Sequence, residues 1–271
     1  MIDIRVMDSN DNRLIYIFCL TDKPPAVNKL SVSDDILSIK VDSLYATIKY
    51  VSDNDYSEGN IKANLSNEVW LDRNVREHLR IITAIMLDNA VIPFNFGTIY
   101  KSEERLKQFI TTYSKDFTDT LLYLKNKEEW SVKVFCNKRT IADNLAFLSK
   151  NISDIDAQIK NSTPGKGYIL KKKRNEIINK EITSIYNTYS KIIFTTLNRF
   201  CEEHQLNIIQ PTDNDEIDID MILNVNFLIT SDNIDNVVNA SNDMIKEYEN
   251  IGIRIQLTGP WPPYTFIKIF N

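Results

Sequence analysis

The chain has 271 residues, 32 Lys+Arg against 37 Asp+Glu for a formal charge of -5, and 43% hydrophobic and 25% charged residues. That length makes one large domain or two ordinary ones, and that composition can bury a proper core, which excludes disordered, collagenous and rod-like chains. The acid excess also withholds the overall field that drives non-specific nucleic-acid binding.

The opening segment MIDIRVMDSNDNR is broken by charges every few residues and lacks the apolar stretch of a secretory signal, so a cytoplasmic protein is expected. No window approaches the run of roughly 18 apolar residues that a membrane helix requires. Cys19, Cys136 and Cys201 are far apart, each among apolar neighbours, and read as small buried hydrophobes in a reducing compartment.

Leu14 to Leu20 is an apolar run of strand length, and Ile36 to Val41 and Leu44 to Val51 are β-rich runs parted by Asp42 and Ser43, the spacing of a hairpin. From Glu68 to Asp88 the apolar residues Leu71, Val75, Leu79, Ile82 and Met86 recur at helical spacing, with Asn89 placed to end the helix. Val91 to Phe96 reads as a short strand. Ser102 is an N-cap with Glu103 and Glu104 in the first turn, and the helix it opens runs through Leu106, Phe109, Ile110, Tyr113, Phe117, Leu121 and Leu124.

Trp130, Val132, Val134 and Cys136 alternate as a strand, and a helix over about Ile141 to Ile159 follows. After the break at Ser162 to Gly167, a long helix is expected from about Tyr168 to Glu203, then a short strand at Leu206 to Ile209. Ile219 to Ile229 alternates without a miss, Ser231 caps a further helix, Ile251 to Leu257 alternates again, and Tyr264 to Phe270 reads as a terminal strand. With the Ile141 helix taken as an insertion, the order strand, helix, strand, strand, helix, strand is the split βαβ pattern of a ferredoxin-like domain. The expected fold class is α+β in two domains. Residues 1–127 form a small mixed domain and residues 128–271 a ferredoxin-like βαββαβ domain, with the ownership of the Trp130 strand left open.

Chemistry is sparse. His78 and His204 are the only histidines, and neither stands in a recognisable nucleophile, base and orienter set. His78, one position off the Leu79 stripe, reads as a packed or hydrogen-bonded helix residue. Pro164-Gly165-Lys166-Gly167 followed by Lys171 to Arg174 fails the spacing of a phosphate-binding loop and reads as a helix entry with a solvated basic turn. Asp8, Asn10 and Asn12 imitate the start of a calcium loop, but Arg13 stands where glycine is needed and Cys19 where glutamate is. The acidic cluster Asp213, Asp215, Glu216, Asp218 and Asp220 reads as a solvated loop entering a strand. No catalytic residue, metal site or cofactor site is expected.

Three segments stand out: Ile92 to Thr98 (IPFNFGT), Ser162 to Arg174 (STPGKGYILKKKR) and Leu257 to Phe266 (LTGPWPPYTF). Together with Glu128 to Cys136 (EEWSVKVFC), in this order and spacing, they resemble the gas vesicle protein family GvpL/GvpF over nearly the whole chain, GPWPPY being the most specific piece. The family usually carries an arginine just before the Phe-Gly-Thr turn, where this chain has Asn95. The prolines stiffen an extended segment on which Trp261 and Tyr264 are available to pack.

The resemblance implies a non-catalytic accessory protein of gas vesicle formation, associated with the vesicles in the cytoplasm. It implies contact with the small hydrophobic shell protein and other vesicle proteins, and needs neither nucleic acid nor membrane. Trp261, Pro262, Pro263, Tyr264, Phe94 and Phe96 are the candidate partner-binding residues. A small-ligand-binding or enzymatic ferredoxin-like protein is the alternative, since that fold hosts many functions, and a nucleic-acid module using Lys171 to Arg174 is a further rival.

Overall fold

The computed structural model describes residues 13–27, 35–148, 150–209 and 218–267. Two compact units divide the chain: Met1–Lys127 together with Pro262–Asn271, and Glu128–Trp261. The segment from Pro262 onward, expected in the second domain with a terminal strand at Tyr264 to Phe270, therefore groups with the first unit. Tyr264–Phe266 form a single 3-10 turn, and the rest of the expected strand beyond Ile267 lies outside the described residues. Both units are α+β with antiparallel sheets.

In the first unit β1 (Arg13–Thr21) is buried at seven consecutive positions, as a strand covered on both faces must be. It pairs antiparallel with β3 (Leu44–Ser52), which pairs with β2 (Ile36–Val41) through a hairpin whose turn holds Asp42 at φ 53. On its other edge β1 pairs with the two-residue strands β4 (Ile92–Pro93) and β5 (Ile99–Tyr100). Two short helices, α1 (Asp53–Tyr56) and α2 (Glu58–Asn64), precede α3 (Glu68–Met86), which Asn67 caps by accepting from Trp70 N at 3.2 Å. The face α3 buries is Asn74, His78, Ile81, Ile82 and Ile85. That face is turned from the apolar stripe read in the sequence; of its members only Ile82 is buried, and Leu71, Val75, Leu79 and Met86 are half-buried. The rotation follows from satisfied polar groups. Asn74 donates to Trp70 O at 2.7 Å and accepts from the Tyr56 hydroxyl at 3.1 Å, so its amide enters the interior without an unmet bond.

The helix expected from Ser102 to Leu124 is two: α4 (Glu103–Thr112) and α5 (Ser114–Leu124), separated at Tyr113, whose φ −106 and ψ 17 are not helical. The bend still keeps Leu106, Ile110, Phe117, Leu121 and Leu124 buried.

The second unit has β6 (Lys127–Asn137), three helices α6 (Lys138–Leu148), α7 (Lys150–Lys160) and α8 (Pro164–Asn198), β7 (Glu203–Leu206), β8 (Ile219–Thr230), α9 (Ile234–Tyr248) and β9 (Ile253–Trp261). The sheet order is β7-β8-β6-β9. In order of appearance that is second, third, first, fourth, the order a split βαβ pattern produces, with α6, α7 and α8 all in the first crossover. The Trp130 strand is thus central to this sheet. At 35 residues, α8 runs about 52 Å at 1.5 Å per residue. The alternation of β8 buries Leu223, Val225, Phe227 and Ile229 against Val132 and Val134 of β6 and Ile193, Leu197, Val237 and Met244 of the helices. The calcium-loop imitation at Asp8 to Asn12 and the acidic residues Asp213, Asp215 and Glu216 lie outside the described residues.

Candidate functional site

The motif residues of the first unit converge on His78. A bulge in β1 between Ile17 and Cys19 breaks the ladder to β3, and there Phe18 O accepts from Phe94 N at 2.9 Å while Ile17 N donates to Thr98 O at 3.2 Å. The turn Asn95 to Thr98 is thereby stitched to β1. Within it Gly97 sits at φ 82, a conformation suited to glycine, and Asn95 O accepts from Thr98 N at 3.1 Å and Thr98 Oγ1 at 2.7 Å. Backbone bonds and one hydroxyl hold the turn, and the Asn95 side chain is exposed.

Behind the turn, His78 is 2% exposed and all its polar contacts are within reach. Nδ1 lies 2.8 Å from the Tyr16 hydroxyl; Nε2 lies 3.1 Å from Phe94 O and 2.9 Å from the Tyr264 hydroxyl. A carbonyl only accepts, so assigning the proton to Nε2 completes the set. Gly97 N–H donates to the Tyr16 oxygen (3.2 Å), Tyr16 O–H donates to bare Nδ1, and Tyr264 O–H donates to Phe94 O (3.2 Å). Burial pushes the imidazole down to about 4, opposed by the Phe94 carbonyl, so it is neutral at ordinary pH. Burial likewise pushes Tyr16 and Tyr264 well above the usual phenol range, and the Cys19 thiol up to about 12. Phe96 packs edge-on against His78 at 5.7 Å, Tyr16 at 6.1 Å and Trp70 at 6.2 Å. With both ring nitrogens engaged in structural bonds, this cluster fastens the terminal segment to β1, α3 and the turn.

Beside it opens a pocket of about 340 Å³ lined by Pro93, Phe94, Asn95, Thr98, Tyr100, Phe109, Tyr264 and Ile267. Phe94 meets Phe109 edge-on and tilts against Phe117, and Phe109 tilts against Tyr100, giving the pocket an aromatic floor. Burial raises the Tyr100 phenol to about 12, so no wall residue from this group carries charge at neutral pH.

Of the six residues named from the sequence, the structure brings Phe94, Phe96 and Tyr264 together here. Pro262 and Pro263 are buried in the same unit. Trp261 ends β9 in the second unit, 43% exposed, with its indole N–H donating to Thr258 Oγ1 at 3.2 Å. Tyr16, His78, Tyr100 and Phe109 were not legible as site residues; the one available signal was a histidine sitting off an apolar stripe. Pro164 starts α8, as a helix entry does. Among the described residues, no group of three His, Cys, Asp or Glu is placed to hold a metal, and no helix is long and apolar enough to cross a membrane.

Sheet orders, the stitched turn and the fastened Pro-rich segment define a class of two-unit α+β protein. The family described as "Gas vesicle synthesis protein GvpL/GvpF" matches residues 14–268, and the chain belongs to it. It is 20% identical to gas vesicle protein L of a Streptomyces species over 83% of this chain and 80% of that one. Identity is 21% to gas vesicle protein F1 of Halobacterium salinarum, over 73% and 70%. The crystal structure of GvpF from Anabaena sp. superposes with a TM-score of 0.70 at 18% identity, covering 96% of this chain and all of that one. GvpF from Microcystis aeruginosa gives 0.65 over 94% and 99%. At such identities these structures speak for the fold.

Proposed function

We propose that this protein is a non-catalytic accessory of gas vesicle formation, working in the cytoplasm in association with the vesicles, that binds the hydrophobic shell protein and helps its assembly. The observation that carries the reading is the open, uncharged, aromatic-floored pocket beside Tyr264, in a member of a gas vesicle family. An apolar side chain or helix face of an aggregation-prone subunit gains by leaving water for such a wall, at about 25 cal/mol per Å² of apolar area covered. The buried Tyr264–His78–Tyr16 bonds keep that wall in place before the partner arrives, which lowers the ordering cost of binding. Pro262 and Pro263 act by fixing the segment, Phe94 and Phe96 by forming the floor and its backing, and Trp261 is a separate, exposed contact.

The test is a pull-down of the shell protein at about 0.1 M and about 1 M salt, where the Debye length shrinks from about 10 to about 3 Å. Binding through apolar burial persists at the higher salt. Tyr100→Ala and Trp261→Ala, each checked for an unchanged melting temperature, identify the contact by weakening it. Absence of binding by the intact protein, or its loss in high salt, overturns the reading.

A further inference from the structure

We propose that the tip of the helical hairpin made by α7 and α8 is a docking surface for an acidic, amphipathic protein segment. The chain as a whole carries a charge of -5, yet residues 157–175 hold six basic side chains and no acidic one. Arg174 is held by Asp156, Nε to Oδ1 at 2.6 Å and Nη2 to Oδ2 at 3.2 Å, which pins α8 to α7. The remaining five, Lys160, Lys166, Lys171, Lys172 and Lys173, are exposed and have no ion pair among the described residues. In their midst Tyr168 is 74% and Ile169 67% exposed.

The tip is rigid. Ser162 Oγ donates to Ile159 O at 2.9 Å, Gly167 N donates to Thr163 O at 2.8 Å, and Gly167 is packed so closely that a Cβ would lie 3.0 Å from Ser162 Oγ. On the helix Tyr168 and Ile169 both neighbour Lys172, at four and three residues, so the apolar pair lies inside a collar of ammonium groups. Scattered single hydrophobics on a surface need no explanation, but an adjacent pair ringed by unpaired like charges leaves apolar area in water and a self-repelling field. One partner chemistry relieves both: carboxylates for the collar and an apolar stripe for Tyr168 and Ile169. A nucleic-acid backbone would meet the lysines and leave Ile169 wet. This surface is independent of the pocket beside Tyr264 and opposite to it in salt response, so the two readings fail separately.

The probe is a fluorescent amphipathic peptide of about 15 residues, long enough for a marginal helix, with glutamates on one face and leucines on the other. Anisotropy should show binding that weakens by about tenfold or more from 50 to 300 mM salt, as charge-led contacts do. The Lys171→Ala/Lys172→Ala/Lys173→Ala variant should lose about tenfold, and Tyr168→Ala/Ile169→Ala a further several-fold, these positions being exposed so that folding is retained. A scrambled peptide of equal charge without an apolar face should bind at least about tenfold more weakly, the worth of roughly 1.4 kcal/mol. Undetectable binding, equal affinity for the scrambled peptide, unchanged binding by the exposed-site variants, or tighter binding to phosphatidylserine vesicles or duplex DNA than to the peptide would each overturn the proposal.

Discussion

His78 shows how a single buried polar side chain can organise a region that hydrophobicity does not mark. Replacing it with leucine breaks its three contacts at once and leaves the buried Tyr16 O–H without an acceptor, so a loss of about 2–4 kcal/mol is expected in urea unfolding. Tyr264→Phe should cost less, about 1 kcal/mol, because Nε2–H keeps Phe94 O. The same residue sets a pH dependence. With its native value near 4 against 6.5 in the unfolded chain, the unfolded state binds the extra proton between those values, so stability is fully present above pH 6.5 and falls as pH drops toward 4. The loss from this group approaches about 3 kcal/mol, and a His78→Gln variant should lack that part of the slope in melts from pH 7 to 4. Gly259 is the other sensitive position: at φ 153 it faces Trp130, and a Cβ would come within 2.7 Å of that ring. Gly259→Ala should therefore destabilise by about 1–3 kcal/mol, read as a lowered melting temperature.

Elements differ in what holds them. The β8 strand is held by its inward residues, Leu223, Val225, Phe227 and Ile229, in the middle of the second core. Phe227→Ala there should cost about 3–5 kcal/mol, measured by denaturant midpoint, whereas substitution of the half-buried Asn224 or Asn226 tests polar bonds only. The first third of α8 is different. Its exposed lysines contribute little to stability, so their replacement leaves the melting temperature within a degree or two while changing any salt-sensitive docking. The split of α4 from α5 at Tyr113 is intermediate: the apolar spacing continues across it, and the aromatic set Phe109, Tyr113 and Phe117 packs at the bend.

For the chain as a whole, binding to small molecules and to proteins can be told apart by heat. A nucleotide or divalent cation at about 100 times its dissociation constant stabilises a folded protein by about 2.7 kcal/mol, which raises the melting temperature by several degrees. No such rise is expected from a set of common nucleotides, magnesium, calcium or zinc. A reproducible shift of several degrees would favour the small-ligand alternative, with the pocket beside Tyr264 as the first place to look, since about 340 Å³ lies within the size of small-molecule sites.

What the sequence by itself determined was the buried run of β1, the β2–β3 hairpin, the alternation of β8 and the presence of α9. Those signals survive because each residue's burial there follows from the pitch of its own element. The four motif segments and their order likewise sufficed to place the chain in the GvpL/GvpF family. Tertiary structure decided the rest. The buried face of α3 turned toward Asn74 and His78 because Tyr56 of α1 satisfied Asn74, and Tyr16 of β1 and Tyr264, nearly two hundred residues away, satisfied His78, and no local pattern records a distant hydroxyl. The terminal segment joined the first unit for the same reason: its prolines forbid the continuing ladder of a strand, while His78 and Phe94 O offered Tyr264 hydrogen bonds that water would otherwise have had to replace.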